Sequence, residues 1–141
     1  MSIRVFYDEI KFRVRGSEKI KKFLYRVIIE EKKLPGNLKF IFTGDRGLLE
    51  INRKFLGHDY YTDVITFGEN EDNIINGEIY ISIDTVRENA DKYKTGTGEE
   101  FLRVMLHGVL HLCGYKDETE KEKEIMIKRQ EELVSKFMGG R

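Results

Sequence analysis

At 141 residues, 40% hydrophobic and 35% charged with a single proline, the chain has the size and composition of one domain over residues 1–141; long disordered segments are excluded, and such a domain buries about two-thirds of its unfolded surface. The opening MSIRVFYDEI is alternating and charged, without the apolar stretch of a signal peptide, and no run of ~18 apolar residues occurs, so a bilayer-spanning chain is excluded and a cytoplasmic protein with no membrane partner is expected. The formal net charge is zero, from 25 basic and 25 acidic side chains, which argues against a broadly basic nucleic-acid binder, yet residues 1–60 carry 14 basic against 8 acidic side chains and the remainder 11 against 17.

IRVFYD (3–8) alternates as a strand does. Ser17 is then placed to cap a helix whose apolar residues Ile20, Phe23, Leu24, Val27 and Ile28 recur at helical spacing. Arg4, Lys11, Arg13, Arg15, Lys19, Lys21, Lys22 and Arg26 fall in this strand, this helix and the stretch between them. They fit a basic face for a nucleic acid, and equally an ordinary solvated surface. Pro35 and Gly36 are expected to stop the helix, LKFIFTG to form a second strand, and Asp45 to cap a helix through Leu48, Leu49, Ile51, Asn52 and Phe55. TDVITFG (62–68) and GEIYISI (77–83) read as two more strands around the polar ENEDNIIN. From Asp84 the pattern is helical. Thr97 with Glu100 has the spacing of a capping box for a helix through FLRVMLHGVLHLC to Gly114, and a charged helix is expected from about Thr119 to Phe137. The pattern implies an α+β fold: one domain, a small mixed four-stranded sheet packed with about five helices.

The helix of residues 101–113 is apolar nearly all round, the mark of a buried helix. Its exceptions, Glu100, Arg103, His107 and His111, fall at three- and four-residue steps on one stripe, where neighbouring Cβ atoms are about 5 to 6 Å apart. Two imidazoles so placed can converge on one ion. Gly114 can take a positive φ and turn the chain so that Asp117 approaches them, giving H-x3-H-x2-G-x2-D. Two imidazoles and a carboxylate leave a fourth zinc position open, as a catalytic site requires. Each piece also has a plainer reading: a buried, hydrogen-bonded histidine, or Asp117 as the cap of the last helix. Cys113, the only thiol, excludes a disulfide and a thiolate-rich cluster, and its spacing from His111 fits core packing rather than ligation. In zinc peptidases of this zincin-like HxxxH spacing a glutamate follows the first histidine and serves as general base; here the residue is Gly108, which disfavours amide hydrolysis.

HGVLHLCGYKD (107–117) resembles the signature of the YbeY family, H-G-x-L-H-L-x-G-Y-D-H, in which three histidines hold zinc. INRKFLGHDYYTDVITF (51–67) is similar to that family's L-N-x-x-Y-R-x-x-D-x-x-T-D-V-L-S-F block, GEIYIS (77–82) to its G-D-I-x-I-S strand, and Glu100 to an acidic position seven before the first histidine. The resemblance implies an α+β domain with one Zn2+ per chain, held here by His107, His111 and Asp117. It further implies a single-strand-specific endoribonuclease acting in rRNA maturation, including the small-subunit rRNA 3′ end, and in ribosome quality control, with single-stranded RNA or rRNA and the ribosome or ribosomal proteins as partners. Two positions depart from the pattern. Asp117 stands where the family has its third histidine, and Leu56 where it has an arginine thought to meet RNA phosphate or the transition state. Arg53, His58 and Arg103 are the candidates for that missing positive charge, Arg103 having an intrahelical pairing with Glu99 or Glu100 as its alternative. Asn52 and Thr62 to Phe67 are expected to shape the cleft wall, with Asp63 orienting a ligand or capping the strand; no general base is identifiable. The alternative functions are a ribosome assembly factor with a mainly structural zinc and, on weaker grounds, a small zinc peptidase.

Overall fold

Alternation in the strands and 3.6-residue periodicity in the helices set the architecture of the computed structural model, which describes residues 2–58 and 62–139. In chain order its elements are β1 (Ser2–Tyr7), α1 (Ser17–Glu30), β2 (Leu34–Thr43), α2 (Asp45–Leu56), β3 (Val64–Gly68), β4 (Ile74–Ser82), α3 (Ile83–Tyr93), α4 (Thr97–Leu112) and α5 (Glu120–Gly139). Four strands and five helices among the described residues match the expected α+β class. The sheet is mixed, in the order β1-β2-β4-β3, with β1, β2 and β4 parallel and β3 antiparallel to β4.

One face of the sheet carries Leu38, Phe40 and Phe42 of β2 and Ile75, Ile79 and Ile81 of β4, all fully buried. They share one core with Phe23, Leu24, Val27 and Ile28 of α1, the apolar sides of α4, and Met126, Leu133 and Val134 of α5. Removing water from that surface is the main favourable contribution to folding, about 25 cal/mol per Å² of apolar area. The opposite face is only partly covered: Phe55 of α2 packs edge-on against Phe67, and Phe67 against Tyr80, while Phe6 remains 42% exposed. No helix among the described residues is long and apolar enough to cross a membrane.

The helix boundaries differ from the sequence expectation for one physical reason. A capping side chain must stand just outside the helix, where its oxygen can reach back to an orphan N–H. Ser17, Asp45 and Thr97 are instead the first helical residues, and Gly16, Gly44 and Gly96 occupy the cap positions. The Asp45 carboxylate accepts hydrogen bonds from Ser82 Oγ at 2.5 Å and Thr85 Oγ1 at 2.6 Å, joining the start of α2 to that of α3. Glu100 accepts from Thr95 Oγ1 at 3.0 Å rather than completing a box with Thr97. The capping box lies at the start of α5, where Glu122 N donates to Thr119 Oγ1 at 3.1 Å and Thr119 N to Glu122 Oε1 at 3.0 Å. Pro35 does not stop α1 either. The helix closes at Lys32, with φ +65°, whose N–H donates to Ile29 O, and Pro35 enters β2 at a register shift that spares a ladder hydrogen bond. β4 also starts at Ile74, three residues before the glycine where the strand was expected to begin.

Candidate metal centre

Buried on most sides, α4 lies close against β4, and Gly108 permits that approach. A Cβ at position 108 would lie 2.8 Å and 2.9 Å from Ile79 Cγ2 and Cδ1. The position after His107 therefore faces the sheet, where a glutamate has no room and no route to a metal. His107 and His111 lie one turn apart on the open side, their rings 4.7 Å apart between centroids and nearly perpendicular.

At its C-terminus α4 closes as Gly114, with φ +109°, donates to His111 O at 3.0 Å and Tyr115 N donates to Leu110 O at 3.0 Å. This turn returns the chain over the last helical turn and carries Asp117 to the histidines, its Oδ2 3.4 Å from His111 Nε2. One donor atom from each of His107, His111 and Asp117 falls within a mutual 4.8 Å, a spacing that can hold a metal ion.

The contacts behind the imidazoles orient them. His107 Nδ1 lies 2.8 Å from Gln130 Oε1 on α5, and His111 Nδ1 lies 3.1 Å from the Tyr115 carbonyl. A carbonyl oxygen only accepts, so in each ring Nδ1 carries the hydrogen and Nε2 is left with its lone pair, the form a metal requires. Gln130 is itself held by its Nε2 donating to Glu131 Oε2 at 3.3 Å. Tyr115 donates through its hydroxyl to Glu31 Oε1 at 2.7 Å, and Arg129 Nε donates to Glu31 Oε2 at 2.7 Å, so α1 and α5 brace the turn that carries Asp117. Burial lowers the His107 pKa below the ordinary histidine value and prevails over the Gln130 hydrogen bond and the Asp63 and Asp117 charges, which favour the proton. The neutral imidazole is thus the resting form. Cys113 is buried in the core, and desolvation pushes its thiol up to about 12, which suits packing.

The triad forms part of the wall of a cleft of about 840 Å³. Asn52 and Leu56 of α2, His58 beyond it, Thr62 to Thr66 and Asn70 make the rest of the polar and apolar wall, together with Gly68 and Leu112. Phe67, expected in the wall, turns to the other face against Phe55 and Tyr80. His58 lines the cleft; Arg53 is exposed on α2 and outside the lining. Arg103 is also outside it. Its guanidinium donates to Glu99 at 3.1 Å, to Glu100, and to Glu131 at 2.8 and 2.9 Å, so its charge is matched by three carboxylates. Among the described residues no lysine or arginine lines the cleft. Asp59 to Tyr61, part of the block that resembles the family pattern, lie outside the described residues.

Gln130 and Asn70 escaped the reading of the sequence. Asn70 donates from Nδ2 to Leu112 O at 2.8 Å and accepts from Asn76 N at 3.0 Å, tying the β3–β4 turn to the end of the histidine helix. Neither residue's contact with α4 has a local sequence signal, because it spans 23 or more residues of chain.

Known proteins resemble the chain over most of its length. The family model described as Endoribonuclease YbeY matches residues 6–138. A protein of Christiangramia forsetii named Endoribonuclease YbeY is 40% identical over 132 residues, covering 94% of this chain and 92% of its own. A Flavobacterium psychrophilum protein of the same name is 44% identical, with 94% of each chain covered. A solution structure from Thermotoga maritima superposes with a TM-score of 0.70 at 30% identity, covering 99% of this chain and 91% of that one.

Proposed function

The chain belongs to the YbeY endoribonuclease family, and from that membership and the cleft we propose that it is a zinc-dependent endoribonuclease acting on single-stranded RNA, with His107, His111 and Asp117 as the ligands. The observation that carries the reading is the convergence of the three donor atoms in the cleft wall with both imidazoles presenting Nε2. Two nitrogens and one carboxylate oxygen suit zinc better than magnesium, which favours oxygen donors and keeps its waters. Bound there, zinc supplies Lewis acidity towards a phosphodiester.

The protein's own side chains do the rest. Gln130 and the Tyr115 carbonyl fix the imidazoles. Asp63 lies close enough to favour the charged form of His107 and so adds negative potential beside the ligands. His58 is the cleft residue that can meet a phosphate as a donor, in place of the arginine that Leu56 replaces, while Thr66 and Asn70 offer hydrogen bonds to bases and ribose. Arg53 stands just outside the lining, where it can meet phosphate beyond the scissile bond; Arg103 serves as a brace between α4 and α5. We further propose, on the strength of the family resemblance, rRNA as the substrate, at the small-subunit 3′ end and in ribosome quality control, with the ribosome or its proteins as partners.

The reading is tested by metal analysis and cleavage of a single-stranded RNA by wild type and His111→Ala. Wild type should carry one equivalent of zinc and cut, and the variant should lose both; equal zinc content and equal cleavage in the two would defeat it. A second reading, an assembly factor with structural zinc, draws on the lack of lysine and arginine among the described residues of the cleft lining and predicts that zinc-loaded wild type leaves RNA intact. A peptidase is disfavoured by Ile79, which fills the space a catalytic glutamate would need.

A further inference from the structure

Most RNA affinity comes from cations that neutralise phosphates, and the cleft offers none from lysine or arginine among its described residues. The cations lie elsewhere. On α1, Lys19, Lys22 and Arg26 follow at three- and four-residue steps along one exposed stripe. None of the three has an ion pair with another described residue, whereas Arg103 and Arg129 each meet three carboxylates and Lys136 meets Glu30. Like charges at this spacing repel each other, and a bound polyanion relieves that repulsion.

Lys22 and Arg26 of the stripe border a groove of about 470 Å³ between α1 and Ser2 and Ile3 of β1, which forms one edge of the sheet, while Lys19 lines an adjoining cavity with Arg26 and Glu30. Lys21, Lys22 and Arg26 line this groove with Tyr25, and no carboxylate among the described residues does. Lys21 is shared with Glu18 at 3.1 Å. Tyr25 is 36% exposed between the cations, so an aromatic face and a row of positive charge adjoin, the combination that holds single strands by stacking and phosphate contact. β3, which contributes to the metal cleft, lies at the other edge, three strand spacings or roughly 15 Å across the sheet.

We propose that the α1–β1 groove is a second, distal docking surface for single-stranded RNA, which holds the substrate backbone while the cleft acts on a phosphodiester further along. The inference rests on the ribonuclease reading above. It assigns affinity to α1 and scission to α4, so that short substrates use the cleft alone and longer ones use both.

The test compares wild type with the triple variant Lys19→Gln, Lys22→Gln, Arg26→Gln, exposed substitutions whose fold is checked by circular dichroism and thermal melting. Binding of a 2′-O-methylated single-stranded RNA of about twenty nucleotides is followed by fluorescence anisotropy across salt, since each lost cation should reduce the log–log salt slope by about 0.7 for single strands. The triple variant should lose about 2 from that slope, so that a fourfold rise in salt weakens it about 16-fold less than wild type. Tyr25→Ala should weaken binding about fivefold or more without changing the slope. Cleavage of an RNA of about five nucleotides should be unchanged in the triple variant, while KM for the long RNA rises. An unaltered slope and unaltered long-RNA KM overturn the groove while leaving the cleft's activity standing. Failure of wild type to cut even the short RNA defeats the ribonuclease reading, and absence of RNA binding defeats both. A groove that retains polyglutamate but not RNA also overturns the proposal, in favour of an acidic protein partner.

Discussion

Gly108 and Gln130 show how much of the site depends on single atoms away from the ligands. A Cβ at position 108 would meet Ile79 below 3.0 Å, so Gly108→Ala should destabilise the fold by about 1 to 3 kcal/mol, and Ile79→Val in the same chain should recover part of the loss, both read by urea unfolding. Gln130→Leu leaves the His107 Nδ1–H without its acceptor and lets the ring turn. Zinc affinity should fall about 10- to 100-fold in a chelator competition while the far-ultraviolet circular dichroism is kept. Unchanged affinity in that variant would show that α5 does not orient His107. At this scale the sequence was legible where spacing along one helix decides geometry: the histidine pair, the turn at Gly114 and the approach of Asp117 all follow from 3.6 residues per turn and one positive φ. Gln130 and Asn70 were not legible, because their partners are set by how α5 and the β3–β4 turn pack on α4.

Among the elements, α4 is the one that every part of the site depends on, and α5 holds it in place. Thr119 and Glu122 satisfy two N–H groups at the start of α5, so Thr119→Ala should cost about 1 kcal/mol in thermal or urea unfolding, and Thr97→Ala, at the first helical residue of α4, should cost clearly less. Equal costs would mean that the capping box is not what starts α5. The S/T-x-x-E pattern occurs at both places, and the sequence alone pointed to the wrong one. What decides between them is whether the hydroxyl stands before the first turn or inside it, a matter of φ and ψ that spacing does not carry. Between α4 and α5, Arg103 holds the Glu131 carboxyl below the ordinary carboxylate range, chiefly through its hydrogen bond. Because the folded value is lowered, this contribution is present above the unfolded carboxylate range and is lost as pH falls through the lowered value. The gap in melting temperature between wild type and Arg103→Met should therefore be widest near neutral pH and shrink on acidification; a gap independent of pH would show that the Glu131 carboxylate does not carry this stabilisation.

For the whole molecule, the fold class followed from four alternating stretches and five helical ones, while the strand order did not. Placing β4 between β2 and β3 depends on long-range pairing, such as Phe40 with Ile79 and Thr66 with Ile79, which no local pattern encodes. The partition of charge was visible in the sequence as a surplus in the first 60 residues, and in the folded protein it separates the unpaired cations of α1 from the cleft. We propose that zinc held by α4 and its returning turn makes the cleft a ribonuclease. The most direct measurement strips the purified protein with a chelator and then follows single-stranded RNA cleavage as zinc is restored, with His111→Ala beside it. Cleavage should rise with zinc until one equivalent is bound, with the variant inactive throughout; cleavage that is the same in the stripped protein, or in His111→Ala, would rule out a zinc ribonuclease at this site.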